Sequence, residues 1–137
     1  MTDPAAPQPQ QPTPAAPFTE AEDKQYTVLA TFLNIIPLIP ALVFYFAFKD
    51  RGPRINVQSK ENLNWTLNLT IVWVAAGILS IIFGFIPVVG WVISLLLSLV
   101  IWAVHIVNII FSIIGGVKLS SNEVQNYKYP FSVTLVK

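Results

Sequence analysis

The sequence contains no cysteine and unusually little charge. The absence of cysteine excludes disulfide bonds, thiolate metal sites and cysteine nucleophiles. Only 11% of the 137 residues are charged, whereas soluble domains carry about 25%. With a net charge of +1, the chain has no overall field that attracts nucleic acid, and we expect no nucleic-acid partner. An ordinary soluble domain is therefore excluded.

The few charged residues leave two long uncharged runs. Acidic and basic residues occur in three segments only, 1–24, 49–61 and 118–137. The longer uncharged run, 62–117, would form a helix of about 84 Å, while the hydrocarbon core of a bilayer is about 30 Å thick. This run must therefore cross a membrane at least twice. We predict an all-α integral membrane protein with a transmembrane helical hairpin over about 56–117.

Composition divides the chain into three parts. Residues 1–18 are rich in proline, alanine and glutamine. They are predicted to form a disordered tail, because such a segment buries too little apolar surface to fold. Residues 19–117 form the helical membrane domain, and residues 118–137 form a polar C-terminal tail.

The shorter uncharged run, 25–48, is interrupted by Pro37 and Pro40. Each proline removes a backbone donor and disturbs a helix interior. Two structures are compatible with this pattern: one kinked span, or two short helices, about 20–36 and 40–49, that form a re-entrant V. The chain then has three or four helices. A V requires that the rest of the chain covers its turn, because exposed non-helical backbone is not tolerated in lipid.

Two local patterns bear on this first segment. Thr19 and Glu22 match a capping box at a helix start, and the acidic residues of that turn complement the helix dipole. Residues 36–40 (IPLIP) resemble residues 86–90 (IPVVG). The second copy divides the longer uncharged run near its middle and is predicted to be a turn. By analogy, this weakly favours a turn at the first copy.

The basic residues predict the orientation in the membrane. The 49–61 loop contains four and the C-terminal tail three, whereas the 84–90 turn contains none. By the positive-inside rule, we expect the loop and the C-terminus in the cytoplasm, in a multi-pass protein of the plasma (inner) membrane. The N-terminal tail has one lysine and does not set its own side. A kinked span places this tail outside, and a V keeps it in the cytoplasm.

Neutral polar side chains within the uncharged run predict an internal polar seam between the last two helices. Its members are Asn64, Asn68, Thr70, Ser98, His105, Asn108 and Ser112. Those of the last helix share one face. With a turn at 87–88, Asn68 lies level with Asn108, and Thr70 with His105. Hydrogen bonding between the helices is favoured over a hydrophilic groove as the role of this seam.

These residues give no basis for catalysis or metal binding. His105 is the only histidine and has no intramembrane carboxylate or thiolate to share a metal or to orient it as a base. There is no phosphate-binding glycine loop. We therefore expect no enzyme activity, no cofactor and no metal. Small residues at steps of four (Ala76, Ser80 and Gly84) favour close packing of helices.

Two further motifs resemble a known family. The matching residues lie where the polar loop enters a helix and near the C-terminus: Lys60, Glu61, Leu63, Asn64, Trp65, Tyr129 and Pro130. Over about 24–137, the chain resembles a family of small bacterial multi-pass membrane proteins of unknown function, which is grouped with the Tic-twenty-type import component of the chloroplast inner envelope. The resemblance implies four helical segments with both termini on the cytoplasmic side. It therefore favours the V.

Two functions are compatible with these features. The first is a non-enzymatic accessory or scaffold subunit that binds other membrane proteins, or copies of itself, within the lipid bilayer. The alternative is a component of a protein-translocation or channel-type oligomer, with the polar seam facing a pore. The first is favoured, because the alternative depends on the resemblance to the import component, and likeness of fold does not establish function.

Overall fold

The computed structural model describes residues 16–137. Residues 1–15 of the predicted disordered tail therefore lie outside the described residues. Four helices follow one another: α1 (Glu20–Leu33), α2 (Ile39–Phe48), α3 (Pro53–Gly84) and α4 (Val89–Ser120). The described part of the chain contains no strand, and α3 and α4 are long and apolar enough to cross a membrane. The predicted all-α membrane fold is confirmed.

The helices α1 and α2 fold back on each other, so the start of α1 lies beside the end of α2. The ring of Tyr26 stacks on Phe18 at 4.4 Å between centroids and lies 5.2 Å from the ring of Phe48. The Phe18 N–H donates to the carbonyl of Arg51 at 2.6 Å. A single kinked span would separate these residues by the length of both helices. The V of two short helices, rather than the single kinked span, is therefore the observed structure.

The predicted capping box begins α1. The Thr19 hydroxyl accepts from the Glu22 N–H at 3.2 Å, and the Glu22 carboxylate accepts from the Thr19 N–H at 3.1 Å. These hydrogen bonds, to the Thr19 backbone first and its side chain second, lower the pKa of Glu22. The entry of the chain into α1 is thereby fixed, two residues after the Phe18 ring.

The turns before α2 and before α4 have the same backbone geometry. Leu38 has a φ of 70° and Val88 a φ of 61°, both in the left-handed region. In each turn, the next residue donates its N–H to a proline carbonyl two positions earlier, at 2.8 Å. This is the rare, strained form of the γ-turn. The resemblance between residues 36–40 and 86–90 thus extends to conformation. The same type of turn reverses the chain direction before α2 and before α4.

The start of α3 is fixed by a carboxylate from α1. Asp23 accepts from the N–H groups of Arg54 at 3.0 Å and Ile55 at 2.9 Å. It is 4% exposed and lies at the positive end of the α3 dipole. A Cβ at Gly52 would lie 2.5 Å from the Asp23 carboxyl, so this approach requires glycine. The helix therefore begins at Pro53, earlier than the predicted start near residue 56.

The long hairpin has a packed end and an exposed end. The buried positions of α3 lie mainly at 55–69 and those of α4 mainly at 108–119. Both stretches meet α1 and the C-terminal segment, and α3 also meets α2. Between residues 70 and 107, most large apolar side chains are exposed. The α4 part of that stretch is about 28 Å long, close to the ~30 Å of a hydrocarbon core. We call residues 70–107 the exposed hairpin and the remaining described residues the packed end.

Replacement of the capping carboxylate tests how α1 and α3 are joined. We expect Asp23→Ala to destabilise the protein by about 1–2 kcal/mol, because two amide donors at the start of α3 lose their acceptor. The measurement is reversible unfolding in mixed detergent micelles. The matched control is Glu20→Ala, in the same turn of α1 but exposed. Equal stability of the two variants would contradict the assignment.

Candidate functional site

Side-chain amides at the packed end bind the backbone of the non-helical segments that lie against the long hairpin. Three of them belong to α3 (Gln58, Asn64 and Asn68) and one belongs to α4 (Asn108). We call these four residues the clamping amides. They are the candidate functional feature of the described chain.

Two clamping amides bind the C-terminal segment near its start and its end. Gln58 Oε1 accepts from the Tyr127 N–H at 2.7 Å, and its Nε2 donates to the Tyr127 carbonyl at 2.9 Å. Asn64 Oδ1 accepts from the N–H groups of Leu135 at 2.8 Å and Val136 at 2.6 Å. Asn64 Nδ2 donates to the Val136 carbonyl at 2.9 Å. Each amide thus pairs with a peptide group much as a neighbouring strand would.

Asn68 binds the same segment between those two points. Its Nδ2 donates to the Val133 carbonyl at 2.8 Å, and its Oδ1 accepts from the Val133 N–H at 3.4 Å. Together with Gln58 and Asn64, it fixes the C-terminal segment along α3. The predicted polar tail is therefore a packed part of the fold rather than a free end.

Asn108 binds the backbone at the tip of the V, just after the end of α1. It is fully buried, and its Nδ2 donates to the carbonyls of Asn34 at 3.0 Å and Ile35 at 3.1 Å. These carbonyls follow the end of α1, where no further helical N–H is available. Asn108 Oδ1 accepts from Trp65 Nε1 at 2.8 Å, which joins α4 to α3.

An aromatic pair connects the two sets of contacts. The rings of Trp65 and Tyr129 stack with centroids 4.9 Å apart and planes 10° apart. The Tyr129 hydroxyl accepts from Asn34 Nδ2 at 3.0 Å. Two residues of the family-like motifs, distant in sequence, are thus in direct contact.

The remaining motif residues lie within five positions of Trp65 or Tyr129 in the sequence. Leu63 is buried, whereas Lys60, Glu61 and Pro130 are partly exposed. None of these three side chains forms part of the clamping amides. Lys60 and Glu61 lie on the helical turn before Asn64, and Pro130 follows Tyr129 in the chain.

The predicted seam residues do not form one line between α3 and α4. The side-chain amides of Asn64 and Asn68 bind the backbone of the C-terminal segment instead. The hydroxyls of Thr70 and Ser98 donate within their own helices, to Thr66 O at 2.7 Å and Ser94 O at 2.9 Å. Asn68 and Thr70, predicted to lie level with Asn108 and His105, therefore bond to other partners.

The other seam residues lie on α4. His105 packs between Trp73 and Trp102, with ring centroids at 5.9 Å and 6.4 Å. The Ser112 hydroxyl lies 3.5 Å from Asn108 Oδ1. Within residues 16–137, no group of three or more histidine and carboxylate side chains is arranged to hold a metal ion.

The hairpin register agrees with the predicted turn to within about two residues. The Ser94 hydroxyl donates to the Ser80 carbonyl at 3.1 Å near the turn, and Trp65 meets Asn108 at the packed end. The register alone did not identify the clamping amides. Gln58 lies in the stretch from about residue 56 that is predicted to begin the helix, and its signal is the concentration of amides in the first half of α3 (Asn56, Gln58, Asn62, Asn64 and Asn68).

Replacement of Asn108 tests the clamp on the V. We expect Asn108→Leu to destabilise the protein by about 1–3 kcal/mol, because the Trp65 N–H and two carbonyls lose their partner. The measurement is unfolding in mixed micelles. Ser98→Ala is the control, since that hydroxyl is exposed and bonds only within α4. An Asn108→Leu variant as stable as Ser98→Ala would exclude the clamp.

Comparison with known proteins gives one match. Residues 22–136 match the model of the magnetosome magnetite crystal formation protein family, MamF/MmsF. No curated protein and no solved structure gives a significant match. The family match gives no support to the predicted relationship with the Tic-twenty-type import component. It covers all four helices and the clamped C-terminal segment. The chain is thus a membrane protein that belongs to the magnetosome magnetite crystal formation protein family.

Proposed function

We propose that the chain is a non-enzymatic membrane scaffold in magnetite crystal formation, and that it binds other membrane proteins or further copies of itself through the exposed hairpin. The family description supplies the process. The division of the molecule into a packed end and an exposed hairpin supports the mode of action. The proposal does not require that the chain itself performs chemistry on the mineral.

The observation that carries the proposal is a face of α3 on which a second helix has room to approach. A Cβ at Gly77 or at Gly84 would meet no atom within 4 Å. The two glycines are seven residues apart and therefore share one face of the helix. Small residues on a lipid-exposed face allow backbones to approach closely, which is how helices associate in membranes.

The use of the clamping amides favours a scaffold over a pore. Asn64 and Asn68 bind the C-terminal segment of the same chain, and Asn108 binds the V. A hydrophilic pore lining requires polar groups that are available to water or substrate. In this chain, the amides that would supply such a lining already have partners.

The family description also bears on the membrane. We propose the membrane of the magnetosome, rather than the plasma membrane in general, as the place where the protein acts. The basic residues of the 49–54 loop and the C-terminal segment are at the packed end, as is Phe18. By the positive-inside rule, the packed end faces the cytoplasm and the 85–88 turn faces the opposite side.

A complementation experiment tests the proposal. In a magnetite-forming bacterium that lacks its own copy, we expect the unaltered chain to restore crystal size. The double variant Gly77→Leu, Gly84→Leu should reach the membrane at normal level, since its side chains enter open space. It should lose cross-linked partners and fail to restore crystal size, as measured by electron microscopy.

The matched control is Ala75→Leu, because Ala75 is exposed and lies on the opposite side of α3 from Gly77. It adds the same side chain to the lipid-exposed surface and should complement fully. If the double glycine variant restores crystal size as well as Ala75→Leu does, the glycine face is not the binding surface and the proposal fails.

A further inference from the structure

We propose that the C-terminal segment, residues 122–137, is a re-entrant element, and that its turn at Phe131 inserts into the acyl chains of the bilayer. The partner of this surface is lipid. The inference concerns how the protein sits in the membrane, and it is independent of the role proposed for the exposed hairpin.

The first argument is the path of the segment along α3. Its contacts advance from Arg54 and Gln58 to Trp65, and then to the groove that Phe131 shares with Leu69 and Val72. The contacts then return to Asn68 and finally to Asn64. The chain therefore runs towards the exposed hairpin, reverses at Phe131 and comes back.

The second argument is depth. A hydrocarbon core of about 30 Å corresponds to about 20 helical residues. Counted back along α3 from the turn at Pro87, this length reaches about residue 67. Leu69 and Val72, which line the groove beside Phe131, therefore lie on the hydrocarbon side of this boundary. The turn at Phe131 is at the same depth.

The third argument is the outer surface of the segment. The Phe131 side chain is 94% exposed, and those of Val133 and Leu135 are 62% and 49% exposed. Phe131 also has a left-handed φ of 63°, which is a costly conformation for a large side chain. In water, this arrangement would expose an apolar ridge and gain nothing from it. In acyl chains, the ridge is in a favourable solvent.

The fourth argument is the distribution of charge. Lys128 and Lys137 are exposed and flank eight uncharged residues. Lysines at the two ends of an inserted segment reach the headgroups with their ammonium groups while the residues between them stay in the apolar region. The clamping amides complete the arrangement, because Asn68 and Asn64 bind the backbone of Val133, Leu135 and Val136 where the segment returns from the turn to the packed end.

Site-directed spin labelling in lipid vesicles tests this insertion, and the cysteine-free chain permits it directly. Nitroxides are placed singly by Phe131→Cys and, as the control outside the inserted part, by Glu123→Cys. Collision rates are measured with oxygen, which concentrates in acyl chains, and with a water-soluble nickel chelate. We expect the ratio of oxygen to nickel collisions to be several-fold higher at position 131 than at position 123.

Two other outcomes would overturn the proposal. Equal ratios at the two positions would place the turn in water. Low collision rates with both reagents at position 131 would place it against protein, such as a second copy of the chain.

A second pair of variants keeps the test independent of the label at the turn. With a nitroxide at Val133→Cys, Phe131→Ser should lower the oxygen-to-nickel ratio and Phe131→Leu should preserve it. If the two substitutions have the same effect, lipid does not hold the turn.

Discussion

A peptide group that lipid or packed protein shields from water has no water to bond, so each backbone donor and acceptor there must find its partner in the protein. Helices α3 and α4 satisfy this requirement by themselves. The tip of the V and the C-terminal segment do not, because neither is helical where it meets the long hairpin. The four clamping amides supply the missing partners. The arrangement of the packed end follows from this requirement.

The clamps act as parts of one network. Asn108 binds both the V and Trp65, Trp65 stacks on Tyr129, and Tyr129 accepts from Asn34 at the tip of the V. A single hydrogen bond between membrane helices contributes about 0.6 kcal/mol on average. Loss of a shared residue costs more, since it leaves several buried groups unpaired at once. The V and the C-terminal segment therefore stabilise each other through the hairpin.

This organisation separates two tasks along the same pair of helices. The packed end uses its polar side chains internally. The exposed hairpin has an apolar surface and two accessible glycines, which the proposed scaffold would present to lipid and to other helices. A scaffold needs this combination, because a rigid base fixes the direction in which the binding surface points. The family to which the chain belongs gives that surface a biological setting in magnetite crystal formation.

The sequence predicted the features that depend on local pattern. The uncharged runs identified the spans, Pro37 and Pro40 reduced the first segment to two alternatives, and the capping box located the start of α1. The partners of Asp23 and Asn68 are not predictable in this way, because those of Asp23 lie 31 and 32 residues away and that of Asn68 lies 65 residues away. An amide side chain pairs equally well with a helix or with free backbone, so its presence in a span does not reveal which one it meets.

Amide hydrogen exchange in lipid bilayers tests the central claim most directly. The N–H groups of Leu135 and Val136 both donate to Asn64. If the clamping amides hold the non-helical backbone, these two groups exchange slowly, and Asn64→Leu makes them exchange fast while the middle of α4 stays protected. Fast exchange at both positions in the unaltered protein would contradict the account.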